Sequence, residues 1–164
     1  MVYRTKLPDT ASVVNSKDGE RLFSASAERN SAPIINVVKR IAPNSGEALE
    51  IASGTGQHIA KLALSLPNLS WSPSEVEPER LKSINAWVEK ENLLNIKTPI
   101  HLDATEPGWA ESLPQYDFVL LVNLLHLISW NETKTIISEL SKSLKKNGIV
   151  FIYGPFLRNG KLTS

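Results

Sequence analysis

The 164-residue chain contains no cysteine. That absence removes disulfides, thiolate-bound metals, iron–sulfur clusters and a cysteine nucleophile, and it suits a reducing, cytoplasmic setting. Excess charge is lacking as well. Eighteen Lys and Arg against 17 Asp and Glu leave +1, with no basic cluster to grip a phosphate backbone, so no nucleic-acid partner is expected. The three histidines, His58, His101 and His126, lack the spacing of a zinc site, and no metal is expected. Long apolar runs are also missing. The longest, Phe118 to Ile128, covers 11 residues and carries Asn123 and His126, whereas a membrane span needs about 20 residues. Met1 to Asp9 has no apolar core of a secretion signal, so no membrane association is expected. With 41% hydrophobic and 21% charged residues, the composition is that of one folded domain rather than a disordered tail.

The pattern along the chain alternates between the periods of strands and helices. Residues 1–23 are polar and irregular, and are expected to form an arm. Ser24 to Asn30 supplies serine caps and an acidic residue for a helix that Pro43-Asn-Ser-Gly46 stops. Strands are predicted at Glu47–Ala52, Leu69–Ser72, Ile96–Leu102, Tyr116–Asn123 and Gly148–Tyr153. Helices are predicted at Gln57–Leu66, Pro78–Lys90 and Thr133–Lys146, the last ended by Asn147-Gly148. Five strands separated by helix-length connections imply an α/β, Rossmann-like parallel sheet with helices on both faces. Ligands of such sheets bind beyond the carboxyl ends of the strands, so those ends are where chemistry belongs.

The first strand runs into Glu50-Ile-Ala52-Ser53-Gly54-Thr-Gly56 and then a helix. Glycines there permit positive φ and close approach of a ligand, although two glycines also simply make a turn. A dinucleotide fingerprint needs a third glycine, and that position is Ile59. Glu75 follows the second strand and could take both hydroxyls of a ribose, or serve only as a solvated acid before the next helix. Asp103 follows the third strand. It could accept from an adenine amino group while the Ala104 N–H donates to a ring nitrogen, or it could be a helix cap. Asn123 ends the fourth strand and could fix a ligand amino group. His126 is a candidate general base, although a histidine in an apolar stretch is as readily a core residue. Glycine loop, acid, Asp and polar residue in series form the pattern of an S-adenosylmethionine (SAM) site, because an adenosyl group crosses several strand ends.

The segments Arg21–Asn30, Leu49–His58, Trp71–Glu75 and Tyr153–Phe156 resemble the small SAM-dependent methyltransferase-like family that includes methyltransferase-like protein 26. The likeness runs from about residue 15 onward. It implies a class I methyltransferase fold with SAM as cofactor and residues 24–164 as the SAM-binding domain. It also implies that Glu50 to Gly56 line the methionine part, Glu75 holds the ribose, and Asp103 with Ala104 holds the adenine. Ala52 stands where many methyltransferases have glycine, and Glu75 where relatives have Asp. Arg29 and Asn30, in a family-specific motif, become candidates for a substrate or carboxylate contact. Trp130 and Tyr153 become candidate walls of the acceptor pocket.

An NPPY-type motif is absent, and Asn123-Leu-Leu-His126 stands in its place. Together with the neutral charge, this directs the expectation toward a methyltransferase with a small-molecule acceptor. The alternatives are a non-catalytic SAM- or partner-binding module and, against the missing third glycine, an NAD-dependent oxidoreductase. Class I methyltransferases usually add two strands after the fifth. Strands six and seven are therefore expected to be missing through C-terminal truncation, with self-association through the open sheet edge.

Overall fold

The computed structural model describes residues 13–159 and 161–162. Alternation of side chains along two strands sets the architecture. In β3 (Gly46–Ile51), Ala48 faces one layer while Leu49 and Ile51 face the other. In β6 (Tyr116–Val122), Phe118 and Leu120 join the first layer, and Val119 and Leu121 the second. Strands apolar on both faces must be covered on both. Helices α1 (Ala25–Ile41), α2 (Gln57–Ser65) and α3 (Pro78–Glu91) cover one face through Ile34, Val38, Ile59, Leu62 and Ile84. Helices α4 (Trp109–Ser112) and α5 (Trp130–Ser143) cover the other through Trp109, Ala110, Ile136 and Leu140.

The central sheet adds β4 (Leu69–Glu75), β5 (Ile100–His101) and β7 (Leu144–Tyr153) in the order β5-β4-β3-β6-β7, with every pairing parallel. The strand order reverses between β3 and β6, and their carboxyl ends diverge around a crevice. The Rossmann-like α/β expectation is met. The expectation of missing C-terminal strands is not borne out. The described chain has a seventh strand, and β8 (Leu157–Arg158) and β9 (Lys161–Leu162) follow it as an antiparallel pair.

Several boundaries differ from those expected. Residues 1–12 of the expected arm lie outside the described residues. The rest is not irregular: β1 (Ser16–Asp18) and β2 (Arg21–Phe23) form an antiparallel hairpin. Its Leu22 is buried, its Leu22 N–H donates to Ser83 Oγ at 2.8 Å, and Phe23 packs edge-on against Trp87 of α3. The third strand shrinks to Ile100–His101 plus one bridge from Ile96 to Trp71, because Pro99 between them has no N–H for the ladder. The last helix starts earlier than expected, at a capping box of Ser129 and Glu132, and stops at Ser143. Asn147, at φ +68°, sits instead in an irregular start of β7, where the register against β6 shifts. No described helix is long and apolar enough to cross a membrane, and no described cluster of His, Cys, Asp or Glu could hold a metal.

Docking of the hairpin has a measurable consequence. Truncating buried Leu22 to alanine removes its contacts on α3, at an expected cost of about 2–4 kcal/mol. Urea unfolding of Leu22→Ala should show this loss. A change below about 0.5 kcal/mol, the usual effect of a surface substitution, would mean that the hairpin is not part of the cooperative fold.

Candidate functional site

After Ile51 the backbone turns through three left-handed residues, Ala52 (φ +54°), Gly54 (φ +59°) and Gly56 (φ +89°). Glycine suits two of these positions, whereas Ala52 carries the strain of an L-residue there. At Gly56 a side chain is excluded twice over, because a Cβ would lie 3.0 Å from Ile84 Cα and 3.1 Å from Trp87. The loop is tied to the next strand. Ser53 N–H donates to the Ser74 carbonyl at 2.8 Å, Ser74 Oγ donates to the Glu50 carbonyl at 2.9 Å, and Gly54 N–H donates to Glu75 Oε2 at 2.8 Å. Glu75 Oε1 accepts from the N–H groups of Val76 and Glu77. Glu75, 1% exposed, is thus turned onto the backbone and holds the glycine loop.

Gln57, the first residue of α2, joins this loop to α1. Its Oε1 accepts from Ser24 N–H at 2.6 Å and from Thr55 Oγ1 at 2.9 Å, while its Nε2 donates to Glu28. The start of α1 therefore roofs the crevice. Beneath it lies a cavity of about 40 Å³ walled by Ser24, Ser26, Glu50, the 52–55 loop, His58 and Asn123. The expected site residues Glu50, Ala52, Ser53, Gly54 and Asn123 meet here, and Gly56 packs just below on α3.

Two further cavities open at neighbouring strand ends. One of about 360 Å³ is lined by His101, Asp103, Glu106, Gly108 and Trp109. Asp103 Oδ1 accepts from the N–H and hydroxyl of Thr105, in the manner of a turn cap, while its Oδ2 is buried without a partner. Ala104 is buried beside it, and its carbonyl accepts from Trp109 Nε1 at 3.1 Å. The other cavity, of about 260 Å³, gathers His126, Trp130, Tyr153 and Phe156. It adjoins the first through β6 and β7, because Val122 pairs with Tyr153 and Asn123 N–H donates to the Tyr153 carbonyl at 2.8 Å. Arg29 is exposed and Asn30 half-buried on α1, whose contribution to the roof is Ser26 and Ala27.

Burial governs the electrostatics. Glu50 is 1% exposed, and desolvation pushes its carboxyl up from 4.5 to about 8; a hydrogen bond from Ser53 opposes the rise and the charge of Glu75 adds to it. Burial raises Glu75 too, opposed by the N–H groups that it accepts from and by Arg80. His58, 7% exposed, is pushed down from 6.5 to about 4 by burial and by Lys61, against the Ala27 backbone and Glu28. Oε2 of Glu50 and Nε2 of His58 have no hydrogen-bond partner. His58, Ser24 and Ser26 are wall residues that sequence reasoning overlooked. The signal for His58 was its place two residues after Gly56, in the first turn of the helix that the loop feeds.

The family model described as "Protein of unknown function (DUF938)" matches residues 21–164. Among solved structures, the chain is similar to an O-methyltransferase family protein from Burkholderia thailandensis, with a TM-score of 0.65 and 18% identity over 77% of this chain and 38% of that one. It is similar to coclaurine N-methyltransferase bound to N-methylheliamine and SAH, with a TM-score of 0.64 and 18% identity over 87% of this chain and 40% of that one. A precorrin-6y C5,15-methyltransferase from Geobacter metallireducens matches with a TM-score of 0.60 and 17% identity over 88% of this chain and 69% of that one. The chain spans about two fifths of the length of the first two. Its fold is that of the class I SAM-dependent methyltransferases.

The raised Glu50 carboxyl makes stability depend on pH. Between 4.5 and about 8 the folded chain keeps a proton that the unfolded chain has lost. This contribution is therefore full below pH 4.5 and is lost as the pH climbs toward 8. His58 acts oppositely and lower, losing stability as the pH falls from 6.5 toward 4. Between pH 6.5 and 8, Glu50→Gln should gain on the parent chain by roughly 1 kcal/mol per pH unit in urea unfolding. Parallel stability curves would refute a protonated Glu50.

Proposed function

The chain belongs to the DUF938 family, and we propose that it is a SAM-dependent methyltransferase acting on a small-molecule acceptor. One observation carries the reading: Glu50 Oε2, in β3 directly before the glycine loop, and Asp103 Oδ2, just beyond β5, are both buried without a partner. Buried polar atoms are normally satisfied, and each of these lines a cavity where a ligand could satisfy it. An adenosyl amino acid fits this set. Its ammonium suits Glu50, its adenine amino group suits Asp103, and its chain lies along the bare backbone of Ala52 to Gly54. The loop-holding hydrogen bonds engage both oxygens of Glu75, so a ribose hydroxyl would meet it through a remaining lone pair without displacing the loop.

Bound SAM supplies an electrophilic methyl group, so the tasks of the chain are alignment and exclusion of water. The start of α1 excludes water, and at about 40 Å³ the cavity admits the amino-acid end only if Ser24 to Ala27 give way. Asn123 stands between the cofactor side and the aromatic cavity, where an acceptor would lie against Trp130 and Tyr153. His126 in that wall is the candidate to take a proton from the acceptor. The neutral net charge supports a small acceptor over a nucleic acid, and the absence of cysteine supports a cytoplasmic setting. Kinship with methyltransferase-like protein 26 belongs to the same proposal, on the segments Arg21–Asn30 and Leu49–His58.

Calorimetric titration tests the cofactor. SAM and S-adenosylhomocysteine should bind with micromolar affinity and NAD should not. Asp103→Ala should weaken the adenosyl ligands by about tenfold or more, the value of a hydrogen bond to a charged group. Equal binding of NAD, or no heat with any of the three, would sink the reading.

A further inference from the structure

His58 has no role in the reading above, yet it presents an unpartnered Nε2 in the wall of the cavity at the strand-order reversal. It sits in the first turn of α2, a nine-residue helix with no acidic residue in that turn. The N–H groups and positive dipole end of this helix thus meet no carboxylate of their own, and such an end favours an anion. The hydroxyls of Ser24 and Ser26, 2.8 Å apart, stand in the same wall. Opposite in character is Glu50, whose free Oε2 suits a cation. With one place for an anion and one for a cation, the lining matches the zwitterionic end of an α-amino acid once Ser24 to Ala27 give way. A phosphate would set a second negative charge beside Glu50.

We propose that His58 is the specificity-determining residue for the free carboxylate of the ligand: its Nε2 donates to that carboxylate while the ammonium of the ligand faces Glu50. The inference rests on the adenosyl-ligand reading and goes beyond it by assigning the selectivity to one side chain. The charged groups around the ring are Lys61 on its own helix, Glu28 from α1, Glu50 from β3 and Arg80 from α3. In the structure this environment holds the ring neutral at pH 7. A carboxylate at Nε2 favours the imidazolium, so the carboxylate-bearing ligand draws a proton onto the ring, against the proton that the ammonium of either ligand displaces from Glu50.

The test compares S-adenosylhomocysteine with its decarboxylated analogue, by calorimetry, on the full chain and on His58→Phe and His58→Gln. The parent chain should prefer the carboxylate-bearing ligand by on the order of 10- to 100-fold, the value of one charge-assisted hydrogen bond. His58→Phe should abolish the preference by weakening that ligand alone, and His58→Gln, which keeps a donor, should retain part of it. Titrations of the parent chain in two buffers of different ionisation heat should show more proton uptake with the carboxylate-bearing ligand. This readout needs no variant to fold. Equal weakening of both ligands by His58→Phe, or equal proton uptake, would overturn the assignment. If the parent chain binds both ligands equally well, the role of His58 falls and the cofactor reading stands; if it binds neither, both fall.

Discussion

Two carboxyl groups removed from water, Glu50 and Glu75, are the constraint on which the carboxyl edge of the sheet depends. Each is 1% exposed, and the charge of Glu75 adds to the cost of ionising Glu50. Their environments separate their roles. Glu75 is surrounded by backbone donors and so holds the left-handed loop in place, which sets the direction of α2. Glu50 has a hydroxyl neighbour in Ser53 and one oxygen with no partner, which leaves it open to a cationic group. The same chemical group is a structural clamp in β4 and keeps one oxygen unpartnered in β3 because of the donors around it.

The rest of the site hangs on that loop through a few polar links. Ser83 Oγ donates to the Thr55 carbonyl at 2.7 Å and accepts from Leu22 N–H at 2.8 Å, so the N-terminal hairpin, α3 and the loop are joined by one hydroxyl. Gln57 performs the matching task for α1. The start of α1 over the cavity is thereby tied by a few buried hydrogen bonds, while Ile34 and Val38 anchor the rest of the helix in the apolar core. Such links hold a defined position yet can be exchanged for contacts to a ligand.

Much of this was legible in the sequence where one period or one residue type dominates. Ala48 to Ile51 and Phe118 to Leu121 alternate, and the glycines fix the loop, so the sheet, its parallel order and five of the cavity-wall residues follow. The N-terminal hairpin was not legible, because its strands are three residues long and its stability comes from Trp87 and Ser83, some sixty residues away. Asn147-Gly148 reads as a helix stop but lies inside the irregular start of β7, where pairing with β6 overrides local preference. The inward turn of Glu75 and the unpartnered ring of His58 depend on burial, which spacing along the chain does not reveal.

The most direct test of the central claim is a carbon-detected NMR titration of the glutamate side-chain carboxyls, with Glu50 assigned through the Glu50→Gln spectrum. The account predicts one carboxyl that titrates near 8 in the protein alone and falls by more than one pH unit when S-adenosylhomocysteine saturates it, as the ligand ammonium replaces the lost hydration. A Glu50 carboxyl that titrates in the ordinary range near 4.5, or one indifferent to the ligand, would contradict it.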